Sequence, residues 1–142
     1  MLVDANILFF AVNVSAPEHD RAATWLEEAL NGSRRVGLPW ESLTAFMRLA
    51  TNPRVVARPL APVDAWTFVE EWLAAPAAWV PVPTERHAAV FGELVRRYRP
   101  AAKLVPDAHL AALAIEHGAE IISADTDFAR FVEVRWRDPI GG

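Results

Sequence analysis

The sequence predicts an α/β fold with a mostly parallel central sheet flanked by helices on both sides. Short apolar runs rich in β-branched residues alternate with longer stretches of helical periodicity, the order that threads parallel strands through crossover helices. Prolines punctuate these elements, and no Gly/Ser linker, internal repeat or low-complexity tract divides them. With 142 residues, 53% of them hydrophobic, the chain is long enough to bury one core and too apolar for disorder, so residues 1–142 read as one compact domain.

The elements follow in order. Residues 1–9, within MLVDANILFF, read as a first strand buried on both faces, with Asp4 and Asn6 set inside it. Pro17 opens a helix whose Ala22, Trp25, Leu26 and Ala29 share one face, and Asn31-Gly32 closes it. RVGLPW at 35–40 is a short second strand. Residues 40–53 are helical, with Leu43, Phe46, Met47 and Ala50 on one side. Pro62 opens a third helix that faces Trp66, Val69, Trp72 and Leu73 inward. WVPVP at 79–83 is a strand whose two prolines suit a sheet edge. Thr84 caps a helix with Phe91, Leu94, Val95 and Tyr98 on its apolar face. Pro106 opens a helix that runs to His117 and stops at Gly118. Residues 119–124 and 131–136 are the last two strands.

Composition narrows the function. The chain has no cysteine, which excludes disulfides and thiolate metal sites. No apolar run is long enough to span a bilayer, and no basic leader precedes the first strand, so no membrane association and a cytoplasmic location are expected. The formal net charge of −4 argues against binding nucleic acid by bulk charge alone; such a partner needs a local basic patch or bound cations.

Acidic residues fall at strand ends and helix starts. Asp4 lies in the first strand, Glu41 and Asp107 each lie in the first turn of a helix, and Asp125 and Asp127 follow the strand EIISA. Singly, Glu41 and Asp107 are explained as carboxylates satisfying free helix N–H groups, and Asp125 and Asp127 as turn residues. Asp4 is harder to explain, because an unpaired carboxylate inside an apolar strand costs several kcal/mol. In a parallel sheet these positions converge beyond the carboxyl ends of the strands. Clustered carboxylates repel one another, and a divalent cation relieves that repulsion; hard oxygen donors select Mg²⁺ or Mn²⁺ over Zn²⁺.

Four stretches, LVDANIL at 2–8, LPWESLTAFMRLATNPRV at 38–55, VPDAHLAALAIEHGA at 105–119 and ISADTDFARF at 122–131, occur in an order that resembles the PIN-domain ribonucleases, and more closely the VapC-type toxins of toxin–antitoxin pairs. The resemblance implies a PIN-like fold and a Mg²⁺- or Mn²⁺-dependent endoribonuclease. It implies cleavage of structured RNA such as tRNA or rRNA, which inhibits translation and growth, a small VapB-type antitoxin that neutralises the toxin, and a homodimer. Carried over by position, Asp4, Glu41, Asp107 and Asp125 are the catalytic acids. Asp4, Asp107 and Asp125 are then expected to hold the metal, and Glu41 to orient or deprotonate the attacking water or bind a second ion. Asn6, Ser123 and Asp127 are expected to support them.

Thr44 and Arg48 share a helix face with Glu41, and Arg48 suits either a phosphate or an ion pair with a site carboxylate. Arg96, Arg97, Arg99 and Lys103 form the densest basic run around Tyr98, a pattern suited to an RNA backbone with a stacked base and equally to a solvated helix end. Trp25, Trp66 and Trp72 are expected in the core. His19, His87, His109 and His117 share no ligand spacing and read as surface or helix-end residues. Two other classes compete. A PIN fold that only binds RNA or protein is disfavoured by four intact acidic positions. A phosphoacceptor receiver is disfavoured because the single lysine, Lys103, precedes a helix instead of following a strand.

Overall fold

The structure, a computed structural model, describes residues 1–141. Among them, five strands of two residues each make one all-parallel sheet: β1 (Leu2–Val3), β2 (Val36–Gly37), β3 (Ala78–Trp79), β4 (Ile121–Ile122) and β5 (Trp136–Arg137). The spatial order is β3-β2-β1-β4-β5, with Leu2 in register with both Gly37 and Ile121. Helices α1 (Ala5–Val12), α2 (His19–Leu30), α3 (Trp40–Ala50), α4 (Pro62–Ala74), α5 (His87–Tyr98) and α6 (Leu104–His117) connect them, and a 3-10 helix spans Thr126–Arg130.

Successive strand residues face opposite sides of the sheet, and the core divides accordingly. Val3 and Ile122 pack with buried residues of α1, α2, α3 and α4, where the rings of Phe46 and Trp72 meet edge to face at 4.8 Å. Leu2 and Ile121 pack on the other side with α5, α6, Phe128 and Phe131. Alanines 108, 111, 112 and 114 give α6 a small-residue surface that buries fully against the sheet and its neighbours.

The largest departure from the expected elements is at the start. β1 ends at Val3, not at residue 9, and Asp4 is no strand residue: it is the N-cap of α1, its Oδ1 accepting the Ala5 N–H at 2.8 Å. Residues 5–9 read as strand because α1 is apolar on nearly every side. It is covered by both α2 and α3, and a short helix hydrophobic all round has no helical stripe to reveal it. Thr84 serves the turn before α5, accepting the Arg86 N–H, and the helix begins at His87. Helix α6 starts at Leu104, with Pro106 in its first turn, where no N–H is required. Of the run 79–83 only Trp79 is in a strand, and residues 131–135 form turns before β5. Trp72 is buried, but Trp66 stacks on Trp40 at 6.3 Å with both rings partly exposed.

Gly37 is where the two central strands press together. A Cβ there would meet the Leu2 side chain and lie 3.0 Å from the Met1 carbonyl oxygen. Leu2 is fully buried and the carbonyl accepts the Gly37 N–H, so neither yields readily. Gly37→Ala is therefore expected to destabilise the fold by about 1–3 kcal/mol, the range for overpacked cores. Urea unfolding would read this as a lower midpoint at an unchanged slope.

Candidate functional site

Strand order reverses at β1: β2 lies on one side of it and β4 on the other. The crevice beyond the carboxyl ends of β1 and β4 is the place such a sheet offers a ligand. Asp4 stands directly after β1, Ser123 and Asp125 directly after β4, and Asp127 opens the 3-10 helix. Asp107 reaches the same edge from the first turn of α6. Asp107, Asp125 and Asp127 each present an oxygen within 4.8 Å of the others. Asp4 and Glu41 lie outside that group of three.

Ser123 ties Asp4 to β4. Its buried hydroxyl donates to Asp4 Oδ2 at 2.7 Å and accepts from Asn6 Nδ2 at 3.1 Å and from the Asp125 N–H at 3.0 Å. Asn6 completes the arrangement, donating weakly to Asp4 Oδ2 and accepting the Ala124 N–H at 3.1 Å. Asp125 in turn caps the 3-10 helix by accepting the Asp127 N–H at 2.9 Å. Each polar side chain here is aimed by its neighbours, which is how an ion site keeps its ligands oriented.

The electrostatics are those of a cation site. Burial pushes the Asp4 carboxyl above its ordinary value, offset by its bonds from Ser123 and Ala5, and the Asp125 charge pushes it further. Asp107 is raised to about 6, first by burial and then by the charges of Asp125, Asp4 and Asp127. Asp107 Oδ2 is buried and has no hydrogen-bond partner. A buried oxygen left bare among like charges is matched by a hard cation, so the donor set fits Mg²⁺ or Mn²⁺. Asp127 is the exception within the group, because it already carries cations: Lys103 Nζ at 3.1 Å and Arg130 at 3.2 Å.

Glu41 stands in the first turn of α3, and its carboxylate turns to His109. His109 Nε2 donates to Glu41 Oε2 at 2.7 Å, His109 Nδ1 meets His87 Nε2 at 3.0 Å, and His87 Nδ1 bonds Glu116. The bond from His109 holds the Glu41 carboxyl below its ordinary value, and the same bond raises the His109 imidazole. His87 does stand at a helix end, opening α5, but the expectation missed that it and His109 are partly buried and bonded to each other. Their sequence separation of 22 hides the contact. One signal was present: His109 and Glu116 are polar positions seven apart in the mostly apolar α6, hence on one face. His117 does sit at a helix end, with Nε2 on the Val82 carbonyl.

The expected RNA contacts sort differently. Arg97 and the Tyr98 hydroxyl both bind Glu133, and the Tyr98 ring packs edge-on against Phe131 at 5.2 Å. Arg96 pairs with Glu93 one turn earlier, and Lys103 is held by Asp127. The basic run thus folds back onto carboxylates of its own chain. Arg99 closes α5 in a left-handed conformation at φ 49°. Arg99 and Arg48 are exposed and make no ion pair among the described residues. Thr44 is exposed on the Glu41 face, its hydroxyl on the Trp40 carbonyl.

Comparison with known proteins gives a consistent picture. A family model described as PIN domain matches residues 1–134. The chain is 49% identical over 138 residues to "Ribonuclease VapC37" of Mycobacterium tuberculosis, covering 97% of this chain and 96% of that one. It is 41% identical over 140 residues to "Ribonuclease VapC33" of the same species, covering 99% and 98%. Among solved structures, VapBC2 from Rickettsia felis bound to a promoter DNA fragment superposes with a TM-score of 0.69 at 14% identity, covering 96% of each chain. The Mycobacterium tuberculosis toxin VapC20, described as cleaving the sarcin–ricin loop, superposes at 0.68 with 19% identity, covering 94% and 98%.

The raised Asp107 carboxyl has a consequence for stability. Its value in the fold, about 6, exceeds the ordinary 3.8, so between those pH values the folded state binds more protons than the unfolded one. Stability therefore falls as pH rises through this window, and the penalty is fully present at neutral pH. In metal-free buffer Asp107→Asn should melt above the wild type at pH 7.5, and the gap should close as pH drops from 6 to 4. Calorimetric melting temperatures across that range check it; a variant that melts lower at pH 7.5 would contradict the crowding of charge.

Proposed function

This chain belongs to the PIN-domain family, among its VapC-type ribonucleases, and from that premise we propose that it is a divalent-metal-dependent endoribonuclease toxin acting on structured RNA such as tRNA or rRNA. The observation that carries the metal is the buried, partnerless Oδ2 of Asp107, facing two further carboxylates. Asp107 and Asp125 would hold the ion directly, with Asp4 beside them directly or through water, and Asp127 as an additional oxygen once released from Lys103. When bound, Mg²⁺ or Mn²⁺ supplies positive charge that polarises the scissile phosphodiester, acidifies water and steadies the leaving oxygen.

The chain's own residues do the remaining work. Ser123 and Asn6 fix the rotamer of Asp4, so that its free electron pairs face the crevice. Glu41, held ionised by His109, orients or deprotonates the attacking water. Arg48, two turns further along α3, and Arg99 are the exposed cations available to phosphates. A chain of net charge −4 must grip RNA through such local contacts and through the ion.

The structures of VapBC complexes among its fold neighbours support a small VapB-type antitoxin as partner. A groove of about 450 Å³ lined by Phe9, Val12, Val14, Val55, Leu60 and Phe68 supports an apolar contact, with the antitoxin or within a homodimer. No helix among the described residues is long and apolar enough to cross a membrane, which suits a cytoplasmic site of action.

Calorimetric titration with Mg²⁺ and Mn²⁺ should show binding by the wild type that Asp107→Asn loses. The same variant, and Asp4→Asn, should abolish RNA cleavage while keeping the wild-type circular dichroism spectrum; cleavage at the wild-type rate by either would refute the site. Asn6→Ala, which removes bonds that aim Asp4, Ser123 and the Ala124 N–H, should lower metal affinity or activity about 10- to 100-fold. Expression alone should arrest growth, and co-expression of the cognate antitoxin should restore it.

A further inference from the structure

A second set of titratable side chains runs from Glu41, in the first turn of α3, into the protein. Exposure falls along it without a break: the side chain of Glu41 is 41% exposed, His109 27%, His87 18% and Glu116 0%. The members come from α3, α6, α5 and again α6. We propose that His109, His87 and Glu116 form a positioning chain that fixes the Glu41 carboxylate at the site, with Glu116 as its buried anchor. The proposal rests on the reading of Glu41 as the residue that handles the attacking water.

The geometry supports an anchor and not a chance contact. Glu116 Oε1 accepts the Thr84 N–H at 2.8 Å and the Thr84 hydroxyl at 2.6 Å, while its other oxygen binds His87. The Glu116 carboxyl is pushed up by burial, yet these bonds prevail and hold it below its ordinary value. Each imidazole uses both ring nitrogens, so neither ring can flip without losing two bonds. The rings are also clamped by packing. His87 stacks on Phe91 with centroids 5.6 Å apart, and His109 stands edge-on to His87 at 4.8 Å and to Phe91 at 6.0 Å. A glutamate in the first turn of an exposed helix would otherwise sample several rotamers.

Stability alone does not call for this construction. A buried polar chain between two helices is commonly replaceable by apolar residues of similar volume without loss of stability. Its outer end meets Glu41, an acidic position that the fold does not bring into the group of three carboxylates. What the chain delivers is therefore orientation of Glu41, in the way that outer partners orient a ligand.

The test is a set of double-mutant cycles on RNA cleavage, with Mn²⁺, total bacterial RNA to find a cut site, and kinetics on an oligonucleotide spanning that site. His109→Leu and Glu116→Gln should each lower kcat about 10- to 100-fold with KM within about twofold. His109→Gln, whose amide can donate to Glu41, should recover most of the loss. In a Glu41→Gln background neither His109→Leu nor Glu116→Gln should lower the rate further, because they act only through Glu41. Wild-type kcat in the folded His109 and Glu116 variants, or losses that multiply in the Glu41→Gln background, would overturn the proposal. If Glu41→Gln itself cleaves normally, the premise about Glu41 falls and the proposal with it.

A second readout is independent of the RNA. Glu116→Gln should move the ring ¹⁵N signals of His109, which it does not touch, and unchanged signals would also overturn the chain. Thr84→Val, which removes one donor and keeps the carboxylate, replaces Glu116→Gln if that variant does not fold.

Discussion

Repulsion among carboxylates at one edge of the sheet is the constraint around which the rest of the molecule is arranged. Strands of two residues bring Asp4 and Asp125 to the same crevice, and the first turn of α6 adds Asp107. Nothing among the described residues neutralises all of them. Ser123, Asn6 and two backbone N–H groups take up lone pairs on Asp4 and Asp125, yet one Asp107 oxygen stays buried and bare. The packing beneath must be firm enough to hold these charges together, and the fully buried layers of Leu2, Val3, Ile121 and Ile122 provide it.

Two strategies for holding acids lie side by side. On one flank, Asp127 is answered by the cations Lys103 and Arg130, which lower its carboxyl, the bond from Lys103 contributing most. On the other, Glu41 is answered by an imidazole backed by a second imidazole and a buried carboxylate. Between these flanks Asp107 and Asp4 are left with raised carboxyls and no cationic side chain bonded to them. The contrast separates acids satisfied by cationic groups of the protein from acids that are not.

Much of this was legible in the sequence, and the reasons for the misreadings are physical. The alternation of strands and helices held because buried parallel strands and amphipathic helices have distinct patterns, as in α2 with Ala22 and Leu26 on one buried face. The acidic positions stood out because Asp4 interrupts an apolar run. The same run concealed the boundary between β1 and α1, since a helix buried on all sides carries no stripe. Asp4 was thus noticed for an imperfect reason: it caps a helix as well as facing the crevice. The link from Glu41 to Glu116 was hidden apart from the shared face of His109 and Glu116, because it passes through three helices, and only folding makes neighbours of residues 41, 87 and 109. Trp66 looked like core by spacing, yet it stacks on Trp40 at the surface.

The bond between Ser123 and Asp4 spans 119 residues of chain. β1 pairs with β4, so two strands far apart in sequence must meet before the site closes. A nascent chain that has emerged as far as α5 has Asp4 and Glu41 but neither Asp107 nor Asp125. Until α6 and β4 have formed, the group of three carboxylates is therefore incomplete. The order in which the site can be completed along the chain is thus set by sheet topology.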